Sequence, residues 1–206
     1  MHMSLEILME EHRVIEGVAA SLLTFVGTLE EGTAERRATL ARYVEFFRGF
    51  ADGCHHCKEE DLLFVRMIEF NFPKEFGPLA VMNEDHKQAR AFVSSLAEVS
   101  EARGPLSGEE IEKVRATAGA YVELLLGHIL KEDNVLYPMA QQALPEADVL
   151  DAMLASYSSF EEKAVGKNGS ERLRALADSL KNEYPPRLGA LQPAACAGCS
   201  GHDERE

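Results

Sequence analysis

Residues 54–60 read Cys-His-His-Cys-Lys-Glu-Glu, and they fall inside a long helical pattern at a depth where a soluble bundle carries apolar side chains. In a helix, residues four apart share a face, so His55 lies over Glu59 and His56 over Glu60. Two imidazoles and two carboxylates in one buried turn are costly to desolvate unless something holds them. A metal ion is the simplest holder, and it needs further ligands from neighbouring helices. The device returns as His128-Ile-Leu-Lys-Glu132. A fold for this chain has to bring both turns to one interior layer.

The flanking sequence predicts four long helices. The first runs from about Ser4 to Glu30, with the seam Leu5, Leu8, His12, Ile15, Ala19, Leu22, Val26, Leu29. Its steps alternate three and four, as a bundle seam requires. The second runs from about Ala34 to Phe70 and turns Leu40, Val44, Phe47, Ala51, His55, Glu59 and Leu62 inward. The third runs from about Pro78 to Ala102, with Leu79, Met82, His86, Ala89, Val93 and Leu96 on its seam. The fourth starts at Ser107, which forms a capping box with Glu110. Its seam is Ile111, Val114, Ala118, Tyr121, Leu125, His128, Glu132, Val135 and Met139; Pro145 closes it, and Pro138 is a candidate kink. Short connections imply an all-α, up-down-up-down four-helix bundle. Antiparallel packing then puts His12 level with His55, and His86 level with His128. Each interruption of an apolar row falls in the same layer.

Length fits one domain with an appendage, since 206 residues are ample for a core. We divide the chain into the bundle, residues 1–145, a two-helix extension, 146–184, and a flexible tail, 185–206, rich in Pro, Ala and Gly. The formal charge of −14 argues against nucleic acid and anionic membrane surfaces as partners. No apolar run is long enough to span a membrane, and the first apolar segment follows acidic residues where a secretory signal needs basic ones. We therefore expect a cytoplasmic protein. The four cysteines form two Cys-x-x-Cys pairs, Cys54/Cys57 and Cys196/Cys199, which in a cytosolic chain are thiols or metal ligands before disulfides.

Taken singly, a histidine such as His12 or His86 on an apolar seam is more often a hydrogen-bonded core residue than a ligand. The shared layer reverses that expectation. Imidazoles and carboxylates on facing helices are how bundles build two-metal sites. In this reading Glu59 and Glu132 bridge two ions, His12 and His55 complete one, and His86 and His128 complete the other. His56 points about 100° away from His55 in a regular helix and stands between an additional ligand and an outer partner. Glu16, Glu60 and Asp133 are read as solvated or outer groups. Tyr121 and Cys54 are read as core, and Phe46, Phe47 and Phe50 as core or the wall of an apolar pocket.

The chain resembles the hemerythrin-like, or HHE cation-binding, family. The resemblance rests on Glu11-His12, on His55-His56-Cys57-Lys58-Glu59-Glu60-Asp61-Leu62-Leu63-Phe64, on Asn83-Glu84-Asp85-His86, and on residues 128–138 from His128 to Pro138. It covers about residues 3–145 and implies a non-haem di-iron centre with a bridging oxygen species, although zinc and manganese accept the same ligands. The sequence departs from oxygen-carrying members. Arg90 stands where they have a second histidine on the third helix, and Glu132 suits a carboxylate-bridged branch. A sensing member of that branch has a glutamate ligand at the position of His56, so the resemblance supports His56 as a metal ligand together with His12, His55, Glu59, His86, His128 and Glu132. The function expected from the resemblance is binding, sensing or scavenging of oxygen, nitric oxide or peroxide. One alternative is a di-iron oxidoreductase of oxidative or nitrosative stress or iron–sulfur repair, with an electron-donor protein or Cys196/Cys199 supplying electrons. Another is a metal-dependent interaction module that acts through the extension.

Overall fold

The computed structural model describes residues 1–32 and 35–187. The Cys196/Cys199 pair, with the reducing role considered for it, lies outside the described residues. Helix α1 spans Met3–Gly27. Helix α2, residues 35–69, is α-helical over Glu35–Phe46, widens to π-helix over Phe47–His56 and again over Glu59–Leu63, and returns to α-helix over Phe64–Glu69. Helix α3 spans Pro78–Glu101. Helix α4, residues 108–143, comprises Gly108–Lys131, a π turn over Glu132–Leu136, and Tyr137–Ala143. Two helices follow: α5, residues 146–165, which opens on a π turn, and α6, Gly169–Glu183. The described residues contain no strand, so the fold is all-α as expected.

Local chemistry accounts for the boundaries. Gly77 takes φ 73° and hands the chain to Pro78 in the first turn of α3, where proline's missing N–H costs nothing. The Ser107 hydroxyl accepts from the Glu110 backbone at 3.3 Å, and Glu110 returns the bond to the Ser107 backbone at 2.9 Å. Helix α1 stops short of the expected Glu30, since the Thr28 hydroxyl turns back to donate to the Phe25 carbonyl at 2.7 Å. Helix α4 continues through Pro138. The π turn lies directly before it, and the proline falls in the opening turn of the renewed α-helix.

The core is two apolar clusters with the polar layer between them. One takes Ile15, Leu22 and Phe25 from α1, Phe47 and Phe50 from α2, Val93 from α3, Leu125 from α4, and Leu173, Ala177 and Leu180 from α6. The other takes Leu5 and Leu8 from α1, Leu63 and Met67 from α2, Met82 from α3, Tyr137 from α4, and Met153 and Tyr157 from α5. Each such side chain, fully buried, contributes about 1.5–3 kcal/mol. The extension therefore packs on both clusters and crosses the polar layer on the outside of α1 and α2. Its approach to α2 is close: a Cβ on Gly49 would lie 2.9 Å from Leu173.

Candidate metal centre

Between the clusters lie His12, His55, His56, Glu59, His86, His128 and Glu132, all seven buried. They assemble into overlapping groups, each with its donor atoms within 4.8 Å of one another. One group is His12, His55, Glu59 and Glu132; another is Glu59, His86, His128 and Glu132; a third is His56, His86 and His128. Glu132 Oε2 lies 3.2 Å from His12 Nε2 and 3.1 Å from His128 Nε2. Glu59 Oε2 lies 3.6 Å from His55 Nε2 and 3.5 Å from His86 Nε2.

Two consecutive histidines, His55 and His56, both reach the interior. A regular helix would swing His56 about 100° off, but it lies within π-helical geometry, which is concentrated at functional sites. His56 stacks on His86 with ring centroids 4.0 Å apart.

The outward nitrogens are held by a closed ring of carboxylates. Glu11 of α1 accepts from His55 Nδ1 of α2 at 3.0 Å. Glu60 of α2 accepts from His86 Nδ1 of α3 at 2.6 Å. Asp85 of α3 accepts from His128 Nδ1 of α4 at 3.3 Å, and Asp133 of α4 accepts from His12 Nδ1 of α1 at 2.7 Å. Each ring is thereby fixed with Nε2 turned inward, the arrangement that orients imidazole toward a metal once Nε2 gives up its proton. Cations back the ring in turn: Lys58 on Glu11, Arg90 on Glu60, Lys131 on Asp85 and Arg13 on Asp133. In the sequence Glu11 and Asp85 stand out only as parts of the family motifs, with no role assigned, and Glu60 and Asp133 read as solvated or outer groups. The signal lay in the doublets Glu11-His12, Glu59-Glu60, Asp85-His86 and Glu132-Asp133. One residue of each faces inward, and its neighbour is rotated toward the next helix. Glu16, by contrast, pairs with Arg13 at 3.0 Å and stays off the ring.

Tyr137 was also missed. Its buried hydroxyl donates to Glu59 Oε1 at 2.6 Å, leaving Oε2 to face the imidazoles. Five buried atoms have no hydrogen-bond partner among the described residues: His55 Nε2, His56 Nδ1, Glu59 Oε2 and both oxygens of Glu132. Leaving buried polar atoms unpaired is costly, and four of these five belong to the two carboxylate-sharing groups. The donor set fits a metal.

Its electrostatics draw in positive charge. Burial works against a charged His12, but the hydrogen bond to Asp133 and the negative charge of Glu132 beside it outweigh burial and lift the pKa to about 9. Burial likewise opposes charge on His128, and Glu132 and Asp85 raise it to about 10. Burial disfavours the Glu59 carboxylate, yet the surrounding imidazoles, His55 foremost, hold it well below its ordinary range. Burial and the neighbouring His86 keep His56 neutral. The site offers the Glu59 carboxylate already ionised and the His56 imidazole already free of its proton.

One flank opens to solvent. A cavity of about 230 Å³ is lined by Phe47, Ala89, Val93 and Tyr121, ends on His56, and has Asp52 and Arg90 at its edge. Tyr121 is core, as expected, and Phe47 serves as both core and pocket wall.

A comparison with family profiles matches residues 3–140 to the hemerythrin HHE cation binding domain. The chain belongs to that family. Neither a curated protein nor a solved structure matches it. The hemerythrin HHE domain thus covers α1 to α4 and the whole donor layer, while α5 and α6 lie beyond it. No described helix is long and apolar enough to cross a membrane.

Proposed function

We propose that this hemerythrin HHE protein holds two iron ions in the donor layer and uses them to bind, sense or scavenge oxygen, nitric oxide or peroxide. His12 and His55 would hold one ion, His86 and His128 the other, and Glu59 and Glu132 would be shared between them. His56 groups with His86 and His128, lines the cavity, and would be available to the second ion. The observation that carries the reading is the sharing of two buried carboxylates by two histidine pairs. A single structural zinc needs only about four ligands and would leave the others unexplained.

When bound, ferrous ions supply a place for a diatomic molecule and the electrons to reduce it. The chain's own residues prepare that place. Glu11, Glu60, Asp85 and Asp133 hold each imidazole in one tautomer and orientation. Tyr137 fixes one oxygen of Glu59 and turns the other toward the imidazoles. Phe47, Val93 and Tyr121 keep the approach to His56 apolar, which suits small uncharged ligands and limits water.

The test is metal content per chain on anaerobically purified protein, then absorption spectra after air, nitric oxide or peroxide. Two irons with new near-ultraviolet and visible bands support the reading. One zinc, or iron with no spectral response to any of the three, would remove it.

A further inference from the structure

Helices α5 and α6 lie beyond the family match, yet they reach into the polar layer. Lys58 of α2 is fully buried, 0 % exposed. Its ammonium is held between Glu11 of α1 and Glu161 of α5, the latter at 2.7 Å, and lies 5.0 Å from the centre of the Tyr157 ring. Arg174 of α6 adds a contact to Glu11 at 3.7 Å and covers the face of Phe50. A continuous chain results: His55 Nδ1 to Glu11, Glu11 to Lys58, Lys58 to Glu161. The other three buttressing carboxylates take their cations from the bundle itself. Among the described residues, only Glu11 depends on a cation that the extension completes.

We infer that the extension is a working part of the metal centre: Glu161, through Lys58 and Glu11, positions His55 and sets the affinity for the ion held by His12 and His55. This role presupposes the two-metal reading above. The physical reasons are two. Lys58 takes Glu11 Oε1 and His55 takes Oε2, and Glu161 anchors the ammonium in the position that keeps Oε2 turned to His55. Glu161 also supplies the negative charge that offsets Lys58 and Arg174 around Glu11, so that the cluster carries no net positive charge to oppose a cation in the donor layer. Linkage makes the effect reciprocal: an ion that needs the docked extension also strengthens its docking.

The experiment titrates Co(II) into the full metal-free chain under anaerobic conditions and follows the visible absorption, comparing wild type, Glu161→Gln and Glu162→Gln. Glu162 is exposed and serves as the control. The expected result is two Co(II) per wild-type chain. Glu161→Gln keeps wild-type helix content and binds one ion as wild type does, but the other roughly 10-fold more weakly. Glu162→Gln behaves as wild type. In parallel, Co(II) slows proteolysis between residues 146 and 187 in wild type, and less so in Glu161→Gln. Equal affinities for both ions, or equal protection, in wild type and Glu161→Gln would overturn the inference and leave the two-metal reading standing. A wild-type chain that takes up fewer than two Co(II) removes that reading and the inference with it.

Discussion

The two flanks of the donor layer are built differently. On the α1/α5 side, Lys58 is sealed between Glu11 and Glu161 under Tyr157. On the α2/α3 side, Arg90 bonds Asp52 at 2.7 Å and Glu60 at 2.8 Å but is 35 % exposed, and a cavity runs beside it to His56. Both flanks do the same local job, since each cation steadies a carboxylate that orients a histidine. They differ in what else they permit. The sealed flank fixes His55 with a fully buried cation, whereas the open flank fixes His86 beside a cavity lined in part by His56. Burial, rather than charge, separates them.

The comparison can be broken first at the residues common to both flanks. Glu132→Ala or His128→Ala is expected to abolish binding of at least one iron, read by metal analysis; full two-iron occupancy in either variant would remove the shared-carboxylate arrangement. Next comes the asymmetry itself. Lys58→Met leaves Glu11 and Glu161 without their buried cation and should destabilise the metal-free protein by about 3–5 kcal/mol. Arg90→Met on the half-exposed flank should cost under about 1 kcal/mol. Equal losses in denaturant unfolding would mean that the flanks are not distinguished by burial. Tyr137→Phe leaves Glu59 Oε1 unpaired and should cost about 1–3 kcal/mol in the metal-free protein, measured the same way.

Proton release sharpens the picture without mutation. His12 and His128 have pKa values of about 9 and about 10, above their ordinary 6.5. Their charged forms stabilise the metal-free fold. That contribution is complete below about pH 6.5 and is lost as pH rises through 9 and 10. Metal ligation needs neutral imidazole, so metal uptake at pH 7 should release protons, measurable with an indicator dye in weak buffer, and the release should vanish above pH 10. The smallest structural change is Ser94→Phe at the exposed mouth of the cavity. It should slow reaction with nitric oxide at unchanged iron content; an unchanged rate would place the approach elsewhere.

How much of this was legible differs from residue to residue. His12, His86 and the two His-x-x-x-Glu turns could be read because they interrupt apolar seams, and the period of a helix states which residues share a face. Glu11, Glu60, Asp85 and Asp133 sit one residue off those seams. A position rotated toward a neighbouring helix acquires a partner only when the order of helices around the bundle is known, and periodicity does not carry that order. His56 was ambiguous for another reason. Its inward placement is set against His86 and His128 of two other helices, at the end of a π-helical stretch to which side-chain periodicity is blind.

By itself, then, the sequence determined the helices, the bundle and the layer in which six donors would meet, because hydrophobic periodicity and helix length are properties of each segment alone. The tertiary structure decided the ring of buttressing carboxylates, the inward turn of His56, the sealing of Lys58 by Glu161 and the cavity beside Arg90. Each of these is a contact between segments distant in the chain, and its energy depends on burial that no single segment can create.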